Sequence, residues 1–596
     1  MPALREVTRE QEQRKKEPPI PKEKDGFSRG DASPGEWEPD AAGLPPDCPV
    51  QPLGMDGDII YLVDAMGQLA AVSPSSFGQA FIQRLFGRHI GYAYWAWPQY
   101  GKGDNYPTGF KAEKLRETFY AAASIKGLWN AVEKVRGLGA WRGDDGELIV
   151  HCGDSLWING KRIKTGEEGR YFYPKRPSIH GPWEESVSFE DNPARDLFRL
   201  LKTWNWKRPE VDPLLFLGSM GVGMLGGALE WRPSVFLIGD KAVGKSTLQK
   251  IYKAVMGDGL VSSTDTTPAG IYQRVGNGSL PVAIDELESE DDNRRVTAVV
   301  KLARLAASGG LMLRGGQDHT GVEFQARSAF LFSAINPPPL APQDLSRMAV
   351  ISIDKLDPDA VTELPDLDPN TGPKLLRRLS DQWGLFDGTW QAYREVLRDG
   401  GHDSRGQDTY GTFLACAHLL LGDEGMEEAG YRADDLSGWA DTLNAQGLAE
   451  KEAAEENWKA CLEHLLTSRV DAWRGGMQHT IGALVEGYQD SGNSYLDVAK
   501  TRELLAQVDI GLLPKGQNKI DAASDFLAIP NKGPNLTSLF DGMPWGNGVW
   551  TYALRQGPLD IVEYRKEFNK VKIGGVSRRV TLVNLTAFAD YAEKVG

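Results

Sequence analysis

The chain is poor in the residues that would give it a covalent or metal-braced scaffold. Its 596 residues include only four cysteines, Cys48, Cys152, Cys416 and Cys461, far apart and with no CxxC pair. A disulfide framework or a structural zinc site is therefore not expected, and a reducing compartment is. His151 and Cys152 are adjacent but lack companions at metal-ligand spacing. The first residues have no apolar core of the kind a signal peptide needs. Long uncharged runs are scarce too. Pro213 to Leu229 is the one of note, and it holds Gly218, Gly221, Gly223, Gly226 and Gly227. So many glycines suit a closely packed internal helix or helix pair, with a membrane span as the alternative. Basic charge is also short. Lysine and arginine total 67 against 82 acids, a net charge of −15, which argues against a surface that coats nucleic acid as a whole. Any contact with DNA or RNA must then come from a local basic channel or loop.

What is present is ordinary for a globular protein: 41% hydrophobic and 25% charged residues, in a chain long enough for three or four domains. One stretch is not ordinary. Val235 to Ser246 reads VFLIGDKAVGKS, in which Gly239-x-x-x-x-Gly244-Lys245-Ser246 has the spacing of a P-loop. Val235 to Ile238 form a buried strand in this reading, and Leu248, Ile251, Tyr252 and Val255 fall on one face of a following helix that Gly257 stops. Glycines let successive backbone N–H groups turn inward around phosphate oxygens, the helix N-terminus adds a positive end, and Lys245 supplies a full charge. The nucleotide-binding candidates are thus Gly239, Asp240, Lys241, Ala242, Val243, Gly244, Lys245, Ser246 and Thr247, with Ser246 holding Mg²⁺.

Further on, LPVAIDELE places Asp285 and Glu286 at the end of a short apolar strand, Val282 to Ile284. With a P-loop upstream this is a Walker B arrangement, Asp285 supporting the metal and Glu286 orienting the attacking water. LMLR and VEFQAR read as a hairpin around a polar tip. SAFLFSAIN is a third strand, ended by Asn336 before three prolines. There Asn336 either senses the γ-phosphate or only shapes the turn. Eleven residues later Arg347 precedes another apolar strand, as an arginine finger if subunits pack in a ring or as a surface arginine if they do not.

The order of these parts, P-loop, Asp285-Glu286 about forty residues later, hairpin, Asn-ended strand and Ser-Arg-apolar strand, resembles the superfamily 3 helicases. These are AAA+ ring motors, and the chain looks most like the helicase part of phage and plasmid primase-helicases. The likeness covers about 233 to 355. It implies ATP and Mg²⁺ as ligands, and a homo-hexamer threading DNA, single-stranded or forked, past channel hairpins, in the cytoplasm of a bacterial host. A separate primase partner is also compatible with it. On this sequence the hairpin candidates are Arg314, Gln317, His319 and Thr320. Asp318 stands before His319 where such hairpins commonly carry a lysine.

The flanks complete an expected α/β architecture: a P-loop AAA+ core with an N-terminal α+β domain, a helical lid and a C-terminal winged-helix-like domain. Residues 1–47, rich in Pro, Lys, Arg and Glu, read as a disordered tail. Residues 48–185 form the α+β domain, whose Trp95, Trp97, Trp129 and Trp141 read as core in preference to base-stacking platforms. Residues 186–232 are a helical connector opened by Asn192 and Pro193, 233–360 the core, 361–455 the lid, and 456–596 the last domain. In that last domain DFLAIP and GVWTYAL read as strands. NKVKIGGVSRRVTLV reads as a hairpin whose Lys570, Lys572, Arg578 and Arg579 either grip phosphates as a wing or form a solvated edge. The function expected is that of an ATP-dependent DNA helicase or translocase of phage or plasmid replication. The alternatives are an NTPase that remodels proteins and a nucleotide-stabilised scaffold.

Overall fold

The computed structural model describes residues 32–264, 266–287, 294–315, 321–335, 340, 342–355, 367–431, 449–470, 479–489, 497–541, 543, 545–546, 548–565 and 567–595, with side chains undescribed at 311–324, 342, 449–456 and 592–595. The chain divides into two compact units. One comprises Met1–Asn336, Ile351–Glu395 and Gln407–Leu436, the other Pro337–Val350, Val396–Gly406 and Ser437–Gly596.

In the first unit, an antiparallel sheet of Gln51–Asp56, Ile59–Val63 and Leu69–Val72 packs with helices Gln79–Phe86, Ile90–Ala96 and Ala112–Lys126. Trp95, Trp97, Trp129 and Trp141 are all at most 6% exposed and serve as core. The segment expected to be a tail differs over 32–47. Leu44 is 2% exposed, Trp37 donates its indole N–H to Ala96 O at 2.7 Å, and Tyr92 OH lies 2.9 and 2.7 Å from the Pro45 and Pro46 carbonyls. Trp37 from within the segment and Tyr92 from outside it thus tie down a proline-rich stretch that has no periodicity of its own. A four-stranded antiparallel sheet follows, built in chain order from Gly139–Arg142, Leu148–His151, Ser155–Ile158 and Lys161–Lys164.

Helix α1 (Pro193–Leu201) starts where its cap dictates. Asn192 Oδ1 accepts from Ala194 N at 3.1 Å, and Nδ2 donates to Leu420 O at 2.8 Å, tying the helix start to a distant segment. Helix α2 (Asp212–Leu225) is buried over almost its whole length. Its glycines explain how. A Cβ on Gly218 would collide with the Phe413 carbonyl, and one on Gly221 would lie 2.8 Å from Cys416 Cβ. Among the described residues no helix is long and apolar enough to cross a membrane.

The central sheet follows. Strand β1 (Ser234–Ile238) runs through a glycine loop into helix α3 (Lys245–Met256), which Gly257 ends with φ +55°. Then come β2 (Val261–Ser263), β3 (Val282–Ile284), helix α4 (Arg294–Ala307), the hairpin strands Leu311–Gly315 and Gly321–Gln325, β4 (Phe330–Ala334) and β5 (Met348–Ser352). The strand order is β2-β3-β4-β1-β5, and the β2–β3, β3–β4 and β4–β1 pairs are all parallel. β1, β3 and β4 are short apolar runs buried on both faces, as parallel strands between helices must be. Helices Thr371–Gln382, Phe386–Asp399 and α5 (Ser404–Glu428, kinked at Gly422) account for most of the described part of the expected lid region.

The second unit has its own core, formed by helix α6 (Ala449–Thr467), helix Ile481–Gln489, helix α7 (Val498–Gln507) and a sheet around β6 (Phe526–Pro530). The expected hairpin is present as β7 (Lys570–Ile573) and β8 (Val576–Asn584), turning at Gly574 and Gly575 with φ +54° and +84°. GVWTYAL is not a strand: Trp550–Leu554 is helical. Its valine, tryptophan and tyrosine favour strands, but Trp550, Ala553 and Leu554 form one buried helical face, with Trp550 stacked 5.2 Å from Phe540.

Candidate nucleotide-binding site

The site is built from the C-terminal edge of the parallel sheet. Leu237 on β1 is level with Ser333 on β4, and Ile284 on β3 is level with Phe332. Gly239 and Asp285 therefore leave the same sheet edge on either side of β4. In an open α/β sheet this edge is where ligands bind.

The Gly239–Gly244 loop has two residues in the left-handed region, Ala242 at φ +64° and Gly244 at +93°. Two close approaches require its glycines. A Cβ on Gly239 would strike the Ile353 carbonyl, and one on Gly244 would lie 2.5 Å from Trp204 Nε1. Val243 points inward, 1% exposed, and anchors the loop, while Asp240, Lys241, Ala242 and Ser246 are exposed and Thr247 is half-buried. Lys245 folds back across its loop, its Nζ donating to Gly239 O and, at 2.8 Å, to Asp240 O. Lys355 lies 3.8 Å from Asp240, but both side chains are more than 70% exposed and the pair contributes little.

Asp285 is held from three sides. Its own N–H donates to Ser263 O at 3.1 Å, its Oδ1 accepts from Glu286 N at 3.1 Å, and Ser333 Oγ donates to the same oxygen. Gln249 on α3 donates to Ser333 Oγ at 3.3 Å, so a relay of side chains joins the loop helix to the acid through β4. Glu286 is exposed and has φ +56°, an unusual backbone for a glutamate, which costs on the order of 1–3 kcal/mol. The chemistry of this set fits a nucleotide with Mg²⁺. Backbone turns and one lysine suit phosphate oxygens, and a hydroxyl at Ser246 with a carboxylate at Asp285 suits a cation that also binds phosphate. Among the described residues no group of three or more His, Cys, Asp or Glu forms a closed metal cage.

Other sequence candidates lie elsewhere. Asn336, Gln317, His319 and Thr320 fall outside the described residues, and Arg314 is described only in its backbone, paired with Val322. Arg347 belongs to the second unit, where its Nη1 donates to Gln343 O at 2.8 Å in the turn before β5. In the basic hairpin Lys570 pairs with Arg579 and Val571 with Arg578, so Lys570, Lys572 and Arg579 share one face and Arg578 takes the other. Arg578 has a structural partner beside the wing role expected of it. It forms a 2.8 Å ion pair with Asp509, whose side chain is 6% exposed, and reaches Lys532 O at 3.3 Å, so it braces the unit from inside.

The sequence reading missed Ser333, Gln249 and Trp204. Ser333 had a signal, being the only hydroxyl in the apolar run FLFSA, whereas Gln249 and Trp204 had none. Trp204 is 9% exposed, and its indole Nε1 is buried against Gly244 without a hydrogen-bond partner.

No family model matches the chain. No curated protein matches it in sequence. Among solved structures, the apo NrS-1 C terminal region (305–718) is similar at 13% identity and a TM-score of 0.26, over 75% of this chain and 96% of that one. Two A-form apo structures of that region align over 90% of this chain and 96% of theirs, at 12% and 13% identity with TM-scores of 0.29 and 0.30.

Proposed function

We propose that the protein is an ATP-driven motor on DNA, a ring-forming helicase or translocase of phage or plasmid replication. One observation carries the nucleotide part: the Gly239–Ser246 loop and Asp285 leave the same sheet edge and are joined through Gln249 and Ser333. In this reading the loop N–H groups and Lys245 bind the β- and γ-phosphates, and Ser246 and Asp285 hold Mg²⁺. The metal, when bound, neutralises charge that develops on the phosphates. Glu286 orients the attacking water, and its left-handed backbone sets the carboxylate off from the structural role of Asp285. Asn336 as γ-phosphate sensor and Arg347 as a finger from a neighbouring subunit complete the proposal. Support for the DNA part is the shared face of Lys570, Lys572 and Arg579, where like charges directly opposite each other repel unless an anion lies over them.

The deciding experiment is ATP hydrolysis with and without single-stranded DNA at low salt. Stimulation by DNA that is lost in Lys245→Ala is the expected result. A second reading, an NTPase that remodels protein partners, is favoured by the net charge of −15 and by the commitment of Arg578 to Asp509. Hydrolysis indifferent to DNA would select it.

A further inference from the structure

Away from the nucleotide site, Arg136 and Arg327 of the first unit both lie over Trp141, and Arg232 is within electrostatic reach of Arg327. Arg136, just before the strand Gly139–Arg142, lies 5.3 Å over the Trp141 ring and 3.2 Å over that of Tyr171. Arg327, between the Leu311–Gln325 hairpin and β4, lies 5.8 Å over Trp141. Arg232, just before β1, is 2% exposed, and Arg136 is 8% exposed.

Three buried or half-buried guanidiniums would ordinarily be matched by carboxylates. Here every hydrogen-bond partner among the described residues is neutral. Arg232 donates to the carbonyls of Leu229, Ala306 (2.9 Å) and Glu230 (3.3 Å), and Arg136 donates to Arg142 O (2.7 Å) and Tyr173 OH (3.1 Å). Arg327 has one bond, to Gln325 Oε1 at 2.9 Å. None of the three forms an ion pair with a described carboxylate. Burial, and after it the charge of Arg327, lowers the pKa of Arg232. Arg327 is lowered by burial and then by Arg136. Glu230 opposes the shift of Arg232 only in part. Among the described residues, then, positive charge is held in a region of low dielectric with only Glu230 acting partly against it, at a cost in stability. Arg232 has its donors spent on carbonyls and is the structural member, while Arg327 gives only one bond, from Nη2, to the described residues.

We propose that Arg136 and Arg327, backed by Arg232, form a binding site for phosphate oxyanions at the root of the Leu311–Gln325 hairpin. Guanidinium forks match phosphate geometry, and the neutral faces of Trp141 and Tyr171 hold them in place without cancelling their charge. The phosphate comes either from a DNA strand or from a free polyphosphate. Only the DNA source rests on the motor reading.

The test uses the full chain and the variants Arg327→Gln and Arg327→Lys. Fluorescence anisotropy with a labelled oligo(dT), over a salt series, reads the DNA source. Thermal protection by inorganic tripolyphosphate, in a Lys245→Ala background that silences the glycine loop, reads the other. For DNA, Arg327→Gln should weaken binding about 5- to 10-fold and take about one off the salt slope, whereas Arg327→Lys keeps the slope. Loss of tripolyphosphate protection with unchanged oligo(dT) binding would support the site with a free polyphosphate as ligand. Because Arg327→Gln relieves like-charge repulsion, its ligand-free melting temperature should not fall, which separates the result from misfolding. If both measurements match the parent, the site is overturned. DNA-stimulated hydrolysis with unchanged Arg327→Gln behaviour would leave the motor standing without this site. A parent that binds no DNA would remove the motor, and tripolyphosphate protection would still decide the site.

Discussion

Ser333 stands where two lines of hydrogen bonds cross, one from Gln249 on α3 and one to Asp285 after β3. A bond to an ionised carboxylate contributes about 1.5–3 kcal/mol. Ser333→Ala should therefore lower kcat for ATP hydrolysis about 10-fold or more and leave KM for ATP nearly unchanged, as steady-state kinetics would show. Equal loss in kcat and gain in KM would mean that Ser333 acts on nucleotide binding and not on the acid. Gly244→Ala should fare worse, because φ +93° and the Trp204 indole both oppose a Cβ, and nucleotide binding by calorimetry should be lost. The loop itself was legible because its chemistry is local, twelve consecutive residues of strand, turn and helix start. Ser333 and Trp204 were not, since each acquires its meaning from a residue forty or more positions away. The same reason explains Arg578: a basic residue in a basic hairpin gives no sign of the buried Asp509 that claims it. His151, fully buried, is held below its ordinary pKa of 6.5, mainly by burial; backbone groups of Gly137, Arg136 and Gly153 oppose that shift without cancelling it. The unfolded chain then takes up a proton below pH 6.5 that the folded chain refuses. Stability should fall as pH drops below about 6.5, with a slope of at most about 1.4 kcal/mol per pH unit from this group, and His151→Gln should flatten that part of a urea-midpoint profile.

Elements were read well where their ends carry their own chemistry. Asn192-Pro193 caps α1, Thr267 accepts from Gly270 N at 3.2 Å to open the helix Pro268–Val275, and Gly257 closes α3. They are misread where burial overrides propensity, as at Trp550–Leu554, or where single long-range bonds pin an aperiodic segment, as Trp37 to Ala96 and Tyr92 to Pro45 do at 32–47. Asn192 joins both kinds of information, capping its own helix and bonding Leu420 O. Asn192→Ala should accordingly cost about 1–3 kcal/mol in urea unfolding, more than an exposed cap would. Gly218→Ala should destabilise by a similar or larger amount, because the added methyl meets the backbone of α5 and not a side chain that can move.

At the scale of the whole molecule, the net charge of −15 means that the proposed DNA contact would depend on a few local cations acting against the overall field. The Gly239–Ser246 loop, Asp285 and Ser333 all belong to the first unit, whereas the second has a core of its own around Trp458, Leu505 and Trp550. Thermal unfolding should show more than one transition. ATP with Mg²⁺ at a hundred times its Kd should stabilise the first unit by about 2.7 kcal/mol and leave the other transition in place, a pattern differential scanning calorimetry can resolve. The glycine contacts of α2 bear also on how the chain is made. Its run from Pro213 onward, free of charge, emerges from the ribosome roughly 195 residues before Phe413 and Cys416, the groups its glycines lie against. At about 5–20 residues per second, that apolar surface waits roughly 10–40 s for its partner. During that interval the exposed run is open to aggregation, and slower translation should lower the yield of intact protein before it alters the activity of what folds.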